Sequence, residues 1–249
     1  MPNRIALVTG CSRGVGAALA AELLRRNWRV HGISRSAPPA ELIEDGLVHL
    51  PLDLSDVDAV GEHFHASFAN DLHLEAADQI ALVNNAGVLA MAPTQGLDLR
   101  QMDAAFRVNV TVPAWLMGWF VQHTPEITRL DLVNLSSGAA SSAYPGWLTY
   151  CTSKAALRMA GRVVAADVAE QLALSDRPIH VLDYAPGVVA TEMQAEIRSA
   201  APSSFPRSER FHDLYEQDQL ADPSAPAGEI ADLLERRNPP AYDERRLGS

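Results

Sequence analysis

Arg4 to Arg26 reads RIALVTGCSRGVGAALAAELLRR. Arg4 to Thr9 is a short apolar run of strand length, and the Ala/Leu-rich remainder favours helix. Between them lies Gly10-Cys11-Ser12-Arg13-Gly14-Val15-Gly16. Glycines at these positions serve any tight βα turn, but strand, glycine loop and helix in succession predict a phosphate-binding loop. Gly10 permits the turn, Gly14 the close approach of a pyrophosphate, and Gly16 the packing of helix on strand. The free N–H groups of the helix start then face the anion.

Working outward, Trp28–Ser34, Leu47–Leu52, Ile80–Val83, Leu130–Leu135 and Ile179–Tyr184 are further buried strands, separated by helical stretches. That rhythm predicts an α/β protein: one Rossmann-type, doubly wound parallel sheet with helices on both faces, spanning residues 1–249 as a single catalytic domain. A helix from about Leu99 to His123 carries Asn109 at its middle, where the amide is expected to break the helix locally and hold a water. Ser55 is expected to cap a helix running to about Ala69, Asn70–Ala77 to be a polar connection, and Glu229–Arg236 to be the last helix. Residues 192–226, polar and broken by prolines, are expected to form a mobile substrate lid with a short helix near Phe211–Gln219. The tail after Asn238 shows no clear strand.

Twenty basic and 31 acidic residues give a formal charge of −11, which argues against nucleic acid and anionic membranes as partners. No stretch is apolar enough to span a bilayer and no leader pattern precedes the first strand, so a cytoplasmic location is expected. Cys11 and Cys151 carry no metal spacing and are expected as free thiols.

The chemistry is expected in Leu132–Lys154, LVNLSSGAASSAYPGWLTYCTSK, read as strand, loop and helix start. Tyr150 and Lys154, four apart, share a helix face. An ammonium there is expected to pull the phenol pKa down and make Tyr150 an acid/base, while Ser137 at the strand end polarises a substrate carbonyl. A Tyr-x-x-x-Lys pair also occurs on solvated helices, so the weight rests on the whole constellation.

After the second strand, Ser34-Arg35-Ser36 offers a cation where a ribose-binding acid would select NAD. With Arg13 in the glycine loop, this favours NADP(H). An Asp after a strand is as often only a turn residue, but Asp53 is expected to accept from the adenine amino group, with Leu54 beside it also at the cofactor. Asn85-Ala86-Gly87 is expected to border the cofactor, and Pro186, Gly187, Val189 and Thr191 to grip its nicotinamide end.

Together, Thr9–Gly16, Asn84-Asn85-Ala86-Gly87, Asn109, Ser137, Tyr150-x-x-x-Lys154 and Pro186-Gly187 resemble the short-chain dehydrogenase/reductase family over nearly the whole chain. The resemblance implies hydride transfer between a nicotinamide and a carbonyl or alcohol carbon. It makes Tyr150 the acid/base and Ser137 the residue that orients the oxygen. Lys154 would sit on the nicotinamide ribose and lower the Tyr150 pKa, and Asn109 would hold a relay water. Tyr144–Ala156 and Asp183–Gln194 are similar to the branch containing sepiapterin reductases and bacterial benzil reductases. That likeness implies a flat pocket walled by Tyr144, Trp147 and Met193. The tail does not cleanly match the aspartate-bearing last strand of sepiapterin reductases, and Asp243 is only a loose counterpart. The competing readings are a catalytically idle NADP(H) sensor or scaffold, which the complete Asn/Ser/Tyr/Lys set disfavours, and an alcohol dehydrogenase, which Arg35 disfavours. In this family the helices bearing Asn109 and Tyr150 commonly pair subunits, so a homodimer or homotetramer is expected.

Overall fold

The computed structural model describes residues 3–65, 68–171 and 176–248. Seven strands among them form one parallel sheet: β1 (Arg4–Thr9), β2 (Arg29–Ser34), β3 (Val48–Pro51), β4 (Gln79–Asn84), β5 (Arg129–Leu135), β6 (Ile179–Ala185) and β7 (Tyr242–Arg246). Their order is β3-β2-β1-β4-β5-β6-β7. The order reverses between β1 and β4, which opens a crevice at their carboxyl ends.

The helices are α1 (Gly14–Arg25), α2 (Ala40–Glu44), α3 (Val57–His63), α4 (Phe68–Asp71), α5 (Leu99–Phe106), α6 (Val112–His123), α7 (Leu148–Glu170), α8 (Glu192–Ser199), α9 (Ser208–Glu216) and α10 (Ser224–Glu235). Alternate residues of a strand point to opposite faces, and both faces are covered. Ile5, Leu7, Ile80, Leu82, Leu130 and Leu132 pack under α3, α6 and α7 through Val60, Leu116, Phe120 and Val168. Ala6, Val8, Ala81, Val83 and Val133 pack under α1 and α10 through Leu19, Leu23, Ile230 and Leu234. No helix among the described residues is long and apolar enough to cross a membrane.

Several expectations need correction. The tail does contain a strand: β7, Tyr-Asp-Glu-Arg-Arg, pairs in register with β6 along Val181–Ala185. Its charges hid it. As an edge strand it turns Glu244 to Arg158 and Arg162 and Asp243 to Arg236 and Arg245. Residues 192–226 hold two full helices, α8 and α9, and the last helix starts at Ser224 rather than Glu229. The connection over Asn70–Ala77 includes the end of α4 and a 3₁₀ turn, Leu74–Ala76. Asp56, not Ser55, caps α3, accepting from the Ala59 N–H at 3.0 Å, and that helix ends at His63. The helix bearing Tyr150, which the sequence alone would carry to about Leu174, ends at Glu170, and Leu174 lies outside the described residues.

Candidate active site

The glycine loop leaves β1 and enters α1 at the crevice. The helix starts after Arg13, whose side chain makes no cap, so the first N–H groups of α1 point outward without a side-chain acceptor. Gly14 has φ of +57°, and a Cβ on it would stand 3.1 Å from Thr191 Cγ2. A Cβ on Gly16 would meet the Gly10 carbonyl oxygen at 2.2 Å and Asn85 Nδ2 at 2.3 Å. Asn85 braces this loop, donating from Nδ2 to the carbonyls of Thr9 (2.8 Å) and Gly10 (3.1 Å). Thr9 Oγ1 in turn accepts from the N–H groups of Asn85 and Ala86, each at 3.0 Å. A backbone cradle with uncapped amides and no side chains in the way fits the pyrophosphate of a nicotinamide dinucleotide.

Beyond it, the Ser34 hydroxyl donates to the Ser36 carbonyl (2.8 Å) and pairs with His49 Nε2 at 3.0 Å, while Arg35 is exposed. His49 was hidden by the apolar residues around it in β3. Asp53 accepts from the Ser55 N–H and hydroxyl at 2.9 and 2.8 Å. Burial raises its pKa, but those two bonds and the charge of Arg35 outweigh that and hold it low. Leu54 and Val15 are core residues. Arg13 does not turn towards Arg35: it forms an exposed ion pair with Glu192 at the start of α8. After β6, Pro186-Gly187 turns the chain and Val189 bridges to Ala221. Thr191 caps α8, so this turn lies against the glycine loop.

Asn109 falls where the expected long helix changes into a π-helical stretch, Arg107–Thr111, between α5 and α6. It is fully buried, and its side chain bonds to protein groups. Oδ1 accepts from the Val88 N–H (2.9 Å), and Nδ2 donates to the Val88 carbonyl (2.9 Å) and Ser153 Oγ (3.0 Å). Ser153, which sequence reasoning missed, donates on to the Tyr150 carbonyl at 2.9 Å. Asn109 thus ties the Val88 loop to α7, with both Nδ2 hydrogens spent on protein and one acceptor position of Oδ1 left over. Gly87 sits beside both groups: a Cβ there would be 3.6 Å from Asn109 Oδ1 and from Lys154 Nζ.

Ser137 follows β5, its Oγ accepting from the Ala139 N–H at 3.2 Å. Tyr150, 8% exposed, lies on α7 within hydrogen-bonding reach of that hydroxyl. Burial pushes the phenol pKa above its usual value, and the Ser137 bond partly offsets this. The expected lowering by Lys154 is not what the geometry gives: Nζ donates to the Leu135 carbonyl at 2.7 Å and lies 5.8 Å from the Tyr150 ring centroid. Burial lowers the Lys154 pKa to about 8, partly countered by the Asp183 carboxylate.

An aromatic wall stands beside Tyr150. Trp147 meets Tyr150 edge-on (centroids 5.5 Å apart), tilts against Tyr144 (4.9 Å) and stacks on Phe205 (4.6 Å, 10° between planes). Phe211 completes the cluster, with Met193 and Ile197 of α8. Tyr144, Trp147 and Met193 are the members of this wall that the sequence points to; Phe205 and Phe211 are not. Those two lie in the 192–226 segment, far from Trp147 in sequence and in no motif. Asp243 is not part of this wall; in β7 it faces Arg236 and Arg245.

The family model for short chain dehydrogenase matches residues 4–202. A benzil reductase ((S)-benzoin forming) of Bacillus cereus is 34% identical over 98% of this chain and 99% of its own length. A sepiapterin reductase of Xenopus laevis is 28% identical over 93% of this chain and 90% of its own. A solved short-chain dehydrogenase/reductase from Burkholderia vietnamiensis, 34% identical, superposes with a TM-score of 0.68 over 81% of this chain and 94% of its own. On the matched motifs, the parallel sheet and these relatives, the chain belongs to the short-chain dehydrogenase/reductase family of oxidoreductases.

Proposed function

We propose that this oxidoreductase is an NADPH-dependent carbonyl reductase acting on a ketone or vicinal diketone, as the names of its benzil and sepiapterin reductase relatives suggest. The observation that carries the reading is the Tyr150 phenol, buried beside the Ser137 hydroxyl and flanked by Trp147 at the carboxyl end of the sheet. A bound nicotinamide cofactor supplies the hydride. The raised pKa keeps Tyr150 protonated near neutrality, which suits a general acid that gives its proton to the substrate oxygen. Ser137 donates a second hydrogen bond to the same oxygen, so developing negative charge meets donors already in place.

Lys154 contributes a buried cation, held by the Leu135 carbonyl, to the cofactor ribose. Asn109 positions the Val88 loop and α7 rather than touching the substrate. The glycine loop with Asn85–Gly87 would hold the pyrophosphate side, and Pro186–Thr191 the nicotinamide end. Arg35 is the residue we assign to a 2′-phosphate, with Arg13 joining it only if its pair with Glu192 opens. Residues 192–226 serve as the substrate lid, and the enzyme works in the cytoplasm as a homo-oligomer.

Following NADPH and NADH oxidation with benzil, 1-phenyl-1,2-propanedione, sepiapterin and simple ketones tests this reading. NADPH turnover of a dicarbonyl supports it; no turnover with any carbonyl, or equal use of both cofactors, contradicts it.

A further inference from the structure

Buried polar groups are almost always hydrogen-bonded, and each exception calls for a cause. Gln194 is an exception at both ends of its side chain. It is 3% exposed, and neither Oε1 nor Nε2 has a partner. Trp147 Nε1 is likewise buried without an acceptor. Both belong to the same neighbourhood. Gln194 shares the buried face of α8 with Ile197, three residues on. Ile197 packs with Trp147, Tyr150, Phe205 and Phe211, and Met193 lines the same cluster. The preceding residues of the turn, Thr191 and Glu192, instead meet Gly14 and Arg13 of the glycine loop. Helix α8 therefore runs between the cofactor loop and the aromatic wall, with the carboxamide on its inner face.

An aromatic enclosure around a buried tyrosine, with one unspent N–H donor on its own Trp147 and another on the buried face of the helix that lines it, matches a substrate whose reacting carbonyl is flanked by a second acceptor. We propose that Gln194 is a specificity-determining residue whose Nε2 donates to the non-reacting carbonyl oxygen of a 1,2-dicarbonyl substrate, with Trp147 Nε1 as a second donor. This rests on the carbonyl-reductase reading above. One carbonyl carbon takes the hydride and its oxygen takes the Tyr150 proton. The other carbonyl, held by the carboxamide, leaves as C=O in an α-hydroxy ketone. A monoketone of the same shape leaves the amide unpaired, so a site built to bond the second oxygen discriminates against it.

The test is Gln194→Met, close in volume and without hydrogen-bonding capacity, assayed with 1-phenyl-1,2-propanedione and with propiophenone. The diketone-to-monoketone ratio of kcat/KM is expected to fall by about tenfold or more, chiefly through the diketone KM. An equal change for both ketones overturns the assignment, as does no change, or an effect confined to the KM for NADPH, which would place the carboxamide on the cofactor. Binding of the diketone to Tyr150→Phe and to Tyr150→Phe/Gln194→Met, read by tryptophan fluorescence, separates this proposal from the reaction itself. If wild type reduces no carbonyl, the functional reading fails. Loss of diketone binding on adding Gln194→Met would still support the recognition, whereas equal binding would overturn it.

Discussion

Replacing Gly161 by alanine should destabilise the protein, although the same change on an exposed helix face would stabilise it. Gly161 is where α7 crosses a buried polar ladder. Asn84 Nδ2 donates to Asn134 Oδ1 (3.0 Å), Asn134 Nδ2 to Asp183 Oδ1 (3.0 Å), and the Tyr242 hydroxyl to Asp183 Oδ2 (2.7 Å). These residues sit in register across β4, β5 and β6, with Tyr242 joining from β7. A Cβ on Gly161 would stand 2.9 Å from Asn134 Nδ2 and 3.1 Å from both Asp183 oxygens. Neither side chain is exposed, so neither can retreat without loosening the ladder. Alanine gains about 1 kcal/mol of helix propensity. Overpacking costs roughly 1–3 kcal/mol, and weakening a buried hydrogen bond costs about 1 kcal/mol or more. The expected net loss is about 1–3 kcal/mol, which for a chain of this size lowers Tm by roughly 2 to 12 °C. Calorimetry on Gly161→Ala reads this directly, and an unchanged or higher Tm would refute the argument that α7 is pinned to the sheet at this point.

Three further outcomes follow from the site and its surface. Arg35→Asp should move preference from NADPH towards NADH, weakening NADPH by roughly ten- to a hundredfold; steady-state kinetics with both cofactors checks it, and no change would free Arg35 of that role. Lys154 carries a folded pKa of about 8, so its charge is present below that pH and lost above it. NADPH affinity should therefore weaken as pH rises through 8, and Lys154→Met should flatten that profile in a fluorescence titration. Trp115 on α6 and Met159 and Val163 on α7 remain about half exposed on neighbouring helices. A homodimer or homotetramer should cover them, and Met159→Glu should shift the sedimentation coefficient towards a monomer's; a wild-type monomer at micromolar concentration would contradict this.

What the sequence showed of this molecule follows from how local each signal is. The glycine loop, the apolar strand runs and Tyr150-x-x-x-Lys154 are short-range patterns, and the sheet and the grouping of Ser137, Tyr150 and Lys154 were legible from them. The edge strand β7 was not, because its pairing with β6 is non-local and its residues are charged. The apolar run Trp115, Leu116, Trp119 and Phe120 on α6 does not say which residues face outward: Leu116, Trp119 and Phe120 are core and Trp115 is exposed, since periodicity alone does not fix how much of a helix faces the sheet. The Tyr150 pKa was misjudged for a related reason. Spacing places Lys154 on the same helix face, but burial of the phenol and capture of the ammonium by Leu135 depend on the packed tertiary structure. Phe205 reaches Trp147 and Tyr150 only through the path of residues 192–226, which no local motif specifies.

The central claim is that Tyr150 delivers the proton in a carbonyl reduction, and single-turnover NADPH oxidation by Tyr150→Phe with a diketone tests it most directly. The variant keeps the ring edge-on to Trp147 and removes only the hydroxyl, so NADPH binding should persist while the rate of the chemical step falls by roughly 10² to 10⁴. A variant that binds NADPH normally and reduces the diketone within a few-fold of wild type would show that the proton comes from another group.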